Sequence, residues 1–297
     1  MYYNKLSDYL KKEYGEKLYK LLLTSGMTCP NRDGTCGTNG CIFCSEEGSG
    51  EFAADSKLSI NEQIEFSKRT VPSVSGKYIA YFQSFTNTYA SAERIKALYY
   101  PVVCRDDIAV LSIATRPDCL SDETISVLSE LNRIKPVWVE LGLQTIHEQS
   151  AQFIRRGYPL PVYENAAKLL KNAGIKVITH LILGLPFETK NDMLRSAEFA
   201  GRMSDGIKFH MLYIQKGTDI AKLYEKNTFR LLEKEEYIDI LCDCIRLLPA
   251  NVVIHRLTGD ADKSKLIAPM WSADKIKLLK DINNAFYDRD ICQGEHL

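Results

Sequence analysis

Short apolar or β-branched runs alternate with longer amphipathic segments along this chain. The runs at 19–25, 78–83, 108–115, 137–143, 176–183 and 207–214 have the length and residue types of buried strands. The segments between them open with helix-start signals. Ser59 with Glu62 makes a capping box, Ser121 leads Asp122 and Glu123, and Thr189 precedes Asn191 and Asp192. Gly174 after KLLKNA reads as a helix stop. Six strands alternating with helices call for a mainly parallel sheet with right-handed crossovers, and the pattern leaves open whether it is doubly wound or curved into a barrel. Past Gly217 the rhythm changes to helical stretches at 219–226 and 233–248, a short strand candidate at 252–255, a polar loop and a last helix near 272–287. This divides the chain into a helical segment at 1–18, a βα body at 19–216 and an extension at 217–297 packed on the sheet, with no Pro/Gly/Ser linker before the extension.

Composition narrows the class. With 297 residues, 45% hydrophobic and 26% charged, the chain has the balance of a globular protein and excludes collagenous, disordered and small disulfide-stapled classes. The 38 Lys and Arg residues equal the 38 Asp and Glu, which argues against a binder working mainly by neutralising phosphates. The start, MYYNKLSDYLKKEYGEK, has no apolar core of a secretory signal, and no apolar run approaches the roughly 20 residues a bilayer needs, so a cytoplasmic protein without a membrane segment is expected. Thiols there are reduced, and nine cysteines, an odd number, point to metal ligation or buried thiols.

Cys29, Cys36, Cys41 and Cys44 fall on one Gly/Asn/Asp/Ser-rich loop, TSGMTCPNRDGTCGTNGCIFCSEEGSG, after the first strand, at the sheet edge where α/β proteins place their sites. Three readings follow from the spacing. Cys29, Cys41 and Cys44 could hold a [4Fe-4S] cluster with one iron open, all four could hold a tetrahedral zinc, or the thiols could be inert. Zinc ribbons usually pair two C-x-x-C knuckles, and only Cys41 and Cys44 have that spacing.

CPNRDGT…GC.FC together with YFQSFTNTYA, IATRPDCL, VELGLQT, RRG, HLILGLP, KGTDIAKLY and VIHRLTGDAD resembles the radical S-adenosylmethionine (SAM) superfamily, and within it a YhcC/YtqA-like branch related to the elongator catalytic subunit. The resemblance covers nearly the whole chain. It implies a partial (β/α)6 TIM-like barrel with a mainly helical C-terminal extension, a [4Fe-4S] cluster on Cys29, Cys41 and Cys44, and SAM chelated by the open iron and cleaved to a 5′-deoxyadenosyl radical. Cys36 is additional to the family pattern. A reductant such as flavodoxin or ferredoxin is the implied partner, and the elongator kinship makes tRNA a candidate substrate beside a small metabolite. The competing class is a non-catalytic zinc- or cluster-bearing module that binds RNA or protein.

Further SAM-binding candidates carry the resemblance residue by residue. Phe43 is implied to lie against adenine, its bland role being to plug the loop. Gln83 and Ser84 stand where relatives hold the methionine amino group, with Thr86 and Asn87 following. Ser112, Thr115, Arg116 and Asp118 end the third strand as polar groups at the productive edge, Arg116 and Asp118 at minimum as a structural pair. Glu140, a carboxylate in an apolar run, needs a partner or a ligand, and Gln144 lies just beyond it. Arg156 is a candidate clamp on the SAM carboxylate, against a solvated helix end shared with Arg155. Ile178, His180, Ile182 and Gly184 share one face of the fifth strand, and Ile182 and Gly184 match the adenine motif. On the sixth, Lys208, His210 and Leu212 are expected to face a cavity and Phe209, Met211 and Tyr213 to pack against helices, although a lone histidine such as His210 is more commonly a satisfied core residue. Lys216, His255, Arg256 and Asp260 are candidates to close over substrate. Cys242 and Cys244, two apart on a helix, diverge and read as packed thiols.

Overall fold

A computed structural model describes residues 2–48, 53–72 and 76–296, so the last two residues of the cysteine loop lie outside it. Seven parallel strands form one curled sheet in the order β1 (Tyr19–Leu23), β2 (Tyr78–Phe82), β3 (Ile108–Thr115), β4 (Val137–Gln144), β5 (Lys176–Leu183), β6 (Gly206–Met211) and β8 (Val253–Arg256). A separate antiparallel pair joins β7 (Ile214–Gln215) to β9 (Leu266–Ala268). The helices are α1 (Leu6–Tyr14), α2 (Ile60–Lys68), α3 (Ala92–Val103), α4 (Asp122–Asn132), α5 (Glu148–Phe153), α6 (Leu160–Asn172), α7 (Lys190–Met203), α8 (Asp219–Glu225), α9 (Lys234–Arg246) and α10 (Lys275–Asp288).

The start signals work as the sequence predicts. Ser59 and Thr189 each accept from the backbone N–H three residues on and are answered by Glu62 and Asp192, and Ser121 caps α4. Gly174 takes a left-handed φ of +71°, which ends α6. The third helix has a cap of its own in Ser91, and Pro101 lies inside its last turn.

Alternation along the strands makes the two faces chemically different. Leu21, Phe82, Ile113, Val139, Leu181 and Phe209 point outward and pack under the helices in one continuous core, which also takes in Cys242 and Cys244 as buried thiols. Leu22, Tyr81, Glu140, His180, Lys208 and His210 point inward and line a cavity. At about 25 cal/mol per Å² of apolar surface, the outer layer is the main stabiliser of the fold, which leaves the inner face free to carry polar groups. The strand-N-terminal end is plugged by Leu10 of α1 and Leu18 against Ile79, Tyr81, Trp138 and Ile178.

The extension does more than pack on the sheet. Its short strand, expected at 252–255, enters the sheet as β8, in parallel register with β6 through Gly206 and Val253. The strands β1 and β6 stop at Leu23 and Met211, short of their expected ends, because the chain bends there into loops over the cavity. As a result Met211 and Tyr213, expected to pack against helices, also reach the cavity wall. Among the described residues no helix is long and apolar enough to cross a membrane.

Candidate active site in the barrel

After β1 the cysteine loop turns back across the C-terminal ends of the strands and is stitched down by its own backbone. Ile42 N–H donates to Ile154 O at 3.1 Å, and Ile42 O accepts from Ile220 N–H at 3.0 Å. Asn31 Nδ2 donates to Arg155 O at 2.7 Å and approaches Cys41 Sγ at 3.5 Å, while Arg32 donates to Cys44 O at 3.2 Å and to Ser45 O. A tight turn, Cys44 N–H to Cys41 O at 3.0 Å, presents both thiols on one side. Opposite Asn31, Gly157 has φ +83°, and a Cβ there would sit 2.6 Å from Asn31 Oδ1, so only glycine lets the Arg155–Gly157 turn approach the loop.

Cys29, Cys41 and Cys44 line the rim of a cavity of about 440 Å³, within the size range of small-molecule sites. Cys36 is exposed and off the wall. Burial, then the neighbouring Cys44, push the Cys41 thiol up to about 12, opposed by Arg116 and by the Asn31 amide. Among the described residues no three His, Cys, Asp or Glu side chains converge tightly enough for a single metal ion. A tetrahedral zinc would need thiolates about 4 Å apart with Cys36 turned in. An iron–sulfur cube needs three thiolates on one rim, and this donor set fits it.

Eleven of the expected residues reach the wall: Phe43, Gln83, Thr115, Glu140, Gln144, Arg156, Ile182, Lys208, His210, His255 and Arg256, with Arg116 and Asp260 beside them. Four do not. Ser84 is buried behind the wall, and Ser112 lies beneath Glu140, to which it donates at 2.9 Å. Gly184 faces Leu232 rather than the cavity, and its N–H donates to Met193 Sδ at 3.0 Å. Lys216 is exposed. Asn87 is structural: its amide donates to Phe82 O and Ala114 O and accepts from Ser25.

Arg156 is not a solvated helix end, since it is 2% exposed. The strand β4 ends with carbonyls that need donors, and Arg156 donates to Leu143 O at 3.1 Å, Thr145 O at 2.6 Å and Tyr158 O at 3.0 Å. Its Nη2 makes no hydrogen bond among the described residues and lies 3.9 Å from Glu148, which is off the cavity wall, whereas the buried Thr86 Oγ1 on the wall has no hydrogen-bond partner there. Arg155 is the surface residue of the pair, bonded to Asp219 at 2.6 Å. Arg116 and Asp118 form the expected pair, bidentate at 2.9 and 2.7 Å. A buried hydroxyl left without a hydrogen bond beside a thiol rim is what a polar cofactor entering the cavity would satisfy.

Deeper in the barrel lies a layer of charge. Glu140, 1% exposed, accepts from Ser112 and from Lys20 at 3.2 Å on one oxygen, and from His180 at 2.8 Å and Lys208 on the other. Lys208 also donates to Tyr81 Oη at 3.1 Å. Burial pushes the Glu140 carboxyl up, but Lys20, Lys208 and His180 together hold it well below the carboxylate range. Burial, reinforced by Lys208, lowers His180 to about 4, so the ring is neutral at pH 7 and its Nε2 carries the proton it donates. His210 and His255 are held well below their ordinary value first by burial, then by Arg256 and Lys20 respectively. Glu140 thus answers its expected need for partners with the protein's own cations.

Sequence reasoning missed Lys20, Tyr81, Asn31 and Tyr158, which line or brace the cavity. Lys20 carried a signal, a single charge inside the strand YKLLL, the same anomaly that marked Glu140. Asn31 carried none, because its partner is a carbonyl 124 residues away.

A family model described as the radical SAM superfamily matches residues 34–200, and one described as its C-terminal domain matches residues 204–288. The chain is 40% identical to YtqA of Bacillus subtilis (strain 168) over 99% of its length and 92% of that protein, and 37% identical to YhcC of Escherichia coli (strain K12) over 90% and 86%. It is 27% identical to a tRNA uridine(34) acetyltransferase of Methanocaldococcus jannaschii over 53% of this chain and 29% of that one. Among solved structures it resembles the Elp3 protein of Methanocaldococcus infernus, with a TM-score of 0.63 at 18% identity over 78% of this chain and 58% of that one, a likeness of fold.

Proposed function

Because this chain belongs to the radical SAM superfamily, we propose that it is an enzyme that reductively cleaves SAM in this cavity. The observation that carries the reading is the shared rim: Cys29, Cys41 and Cys44 open on one cavity while Cys36 does not. When bound by those three thiolates, a [4Fe-4S] cluster would supply the electron that splits the SAM sulfonium and leaves a 5′-deoxyadenosyl radical. The remaining work belongs to the chain's own groups. Phe43 offers a ring between two of the cysteines for adenine, with Ile182 in the same apolar cluster on the wall. Thr86 Oγ1, without a hydrogen bond in the protein, is suited to the polar end of SAM, with Gln83, Thr115, Gln144 and Arg156 on the adjoining wall. Asn31 and Gly157 hold the loop in register with the barrel, and the plug of Leu10 and Leu18 keeps water from entering below.

A small electron carrier of the flavodoxin or ferredoxin type is the proposed reductant, and a reducing cytoplasmic setting accords with nine free thiols. For substrate we propose tRNA or a small metabolite. The tRNA alternative draws on the partial match to the tRNA uridine(34) acetyltransferase, and comparing RNA nucleosides and metabolite pools with and without the gene separates the two. A metal-bearing binding module, the alternative class, would need a four-thiolate site, which the outward position of Cys36 does not favour.

The deciding experiment is anaerobic reconstitution followed by dithionite and SAM. About four iron and four sulfide per chain with 5′-deoxyadenosine released is the expected result, and Cys41→Ala should abolish both. One zinc without iron, or product undiminished in Cys41→Ala, would overturn the assignment.

A further inference from the structure

Building on the radical-enzyme reading of this cavity, we infer that the substrate carries an oxyanion, a carboxylate or a phosphate, gripped by Arg256 on the β8 side of the barrel. Arg256 ends β8 in register with Lys208 of β6, and it lines the cavity. Its guanidinium has no hydrogen-bond partner among the described residues. The nearest carboxylate, Asp260, is 3.9 Å away and is already taken by Lys275. Its side chain is 32% exposed, and it reaches the cavity wall beside Lys208, His210 and His255, so it stands at the mouth of the charged layer.

That layer has no spare negative charge to offer it. Both oxygens of Glu140 are occupied, by Ser112 and Lys20 on one side and His180 and Lys208 on the other. Around the cavity Lys20, Arg32, Arg116, Arg156, Lys208 and Arg256 stand against Glu140 and Asp260, six cationic side chains to two carboxylates, Arg116 being paired with Asp118 off the wall. A guanidinium cannot shed its proton, so a substrate that fills the cavity and displaces water must pair it or strand it. A neutral or cationic substrate would strand it, whereas a planar fork of donors fits a carboxylate or phosphate bidentately. The half-buried, neutral rings of His180 and His210, 5.3 Å apart, line the same cavity as Arg256 without competing for charge.

The test uses the cluster-reconstituted, oxidised full chain saturated with S-adenosylhomocysteine, so that the end of the cavity under the cysteine loop is filled. Imidazole 15N resonances of the five histidines are followed while acetate, inorganic phosphate or the neutral acetamide is added. We expect saturable shifts of His180 and His210 with acetate or phosphate, with His147 and His296 unmoved. Acetamide should do nothing. Whichever anion binds more tightly identifies the group. Arg256→Gln should weaken binding at least about tenfold, as loss of a charge-assisted pair does, and Arg256→Lys should restore part of it; matched unfolding midpoints show that both variants fold. An equal response to acetamide, no saturable response, undiminished binding in Arg256→Gln, or shifts already complete with S-adenosylhomocysteine alone would overturn the inference. 5′-Deoxyadenosine release measured on the same preparation keeps the outcomes apart. Product without an anion response removes this inference and leaves the radical reading, while an anion response without product leaves an anion site and removes its role toward a substrate.

Discussion

Replacing Glu140 by glutamine removes one charge from the centre of the barrel and keeps the shape of the side chain. In the wild type this carboxylate gathers two ammonium groups, a histidine and a serine. In the Glu140→Gln variant, Lys208, whose side chain is 3% exposed, keeps only neutral partners, Tyr81 and the amide oxygen at 140. Breaking a buried pair by deleting one member costs about 3–5 kcal/mol, because the survivor is stranded without water. Lys20 is 21% exposed and can turn toward water, so the low end of that range, roughly 3 kcal/mol, is expected. Urea unfolding followed by fluorescence and circular dichroism together gives the number, provided both probes report one transition. Adding Lys208→Met should recover a large part of the loss, since the stranded charge is then gone, and the double-mutant cycle should show coupling well above about 0.5 kcal/mol. The stranded ammonium can also escape by losing its proton. That lowered lysine makes the unfolded state the better proton binder, so the deficit of Glu140→Gln should shrink as pH rises from about 7 to about 9. A loss under about 1 kcal/mol, or costs that simply add, would refute the view that this layer is an interlocked charge network.

The remaining predictions concern the histidines and the cysteine loop. His180 is held neutral at about 4, against 6.5 for a free imidazole. The unfolded chain therefore binds the extra proton as pH falls below 6.5, and stability should drop by roughly 2 kcal/mol between about pH 7 and about pH 5 through this group alone; pH-dependent unfolding of His180→Gln should show a shallower fall, and an identical slope would contradict the assignment. Gly157→Ala forces a side chain into a left-handed turn against Asn31, which should cost roughly 2 kcal/mol and lower the iron retained after reconstitution. Cys36→Ser should keep the iron content of the wild type, because the thiol faces outward, and a loss of iron would make it a ligand.

Much of this molecule can be read from local chemistry. The caps Ser59, Ser121 and Thr189, the stop at Gly174 and most of the expected strands depend on a few neighbouring residues and on period-two alternation, so they survive translation into three dimensions within a residue or two. The site residues were legible where a side chain contradicts its surroundings: Glu140 in an apolar strand, three cysteines on a polar loop. Ser84, Ser112 and Gly184 sit within a residue or two of cavity-facing positions yet miss the wall, because which side of a bend meets a cavity is settled by how the bend packs. Arg156 is drawn inward by carbonyls that terminate β4, a demand made by a different element.

Sequence by itself determined the βα order, the inward and outward faces of the strands, and the thiols available to a cluster, because periodicity and residue chemistry act over short stretches of chain. Tertiary structure alone decided that β8 completes the sheet beside β6, that Lys20 and Lys208 converge on Glu140 across 120 and 68 residues, and that Arg256 faces the cavity with only Asp260, at 3.9 Å, beside it. Those arrangements depend on the curl of the sheet, which brings distant strands round a common interior, and no local pattern in the chain encodes how far that curl goes.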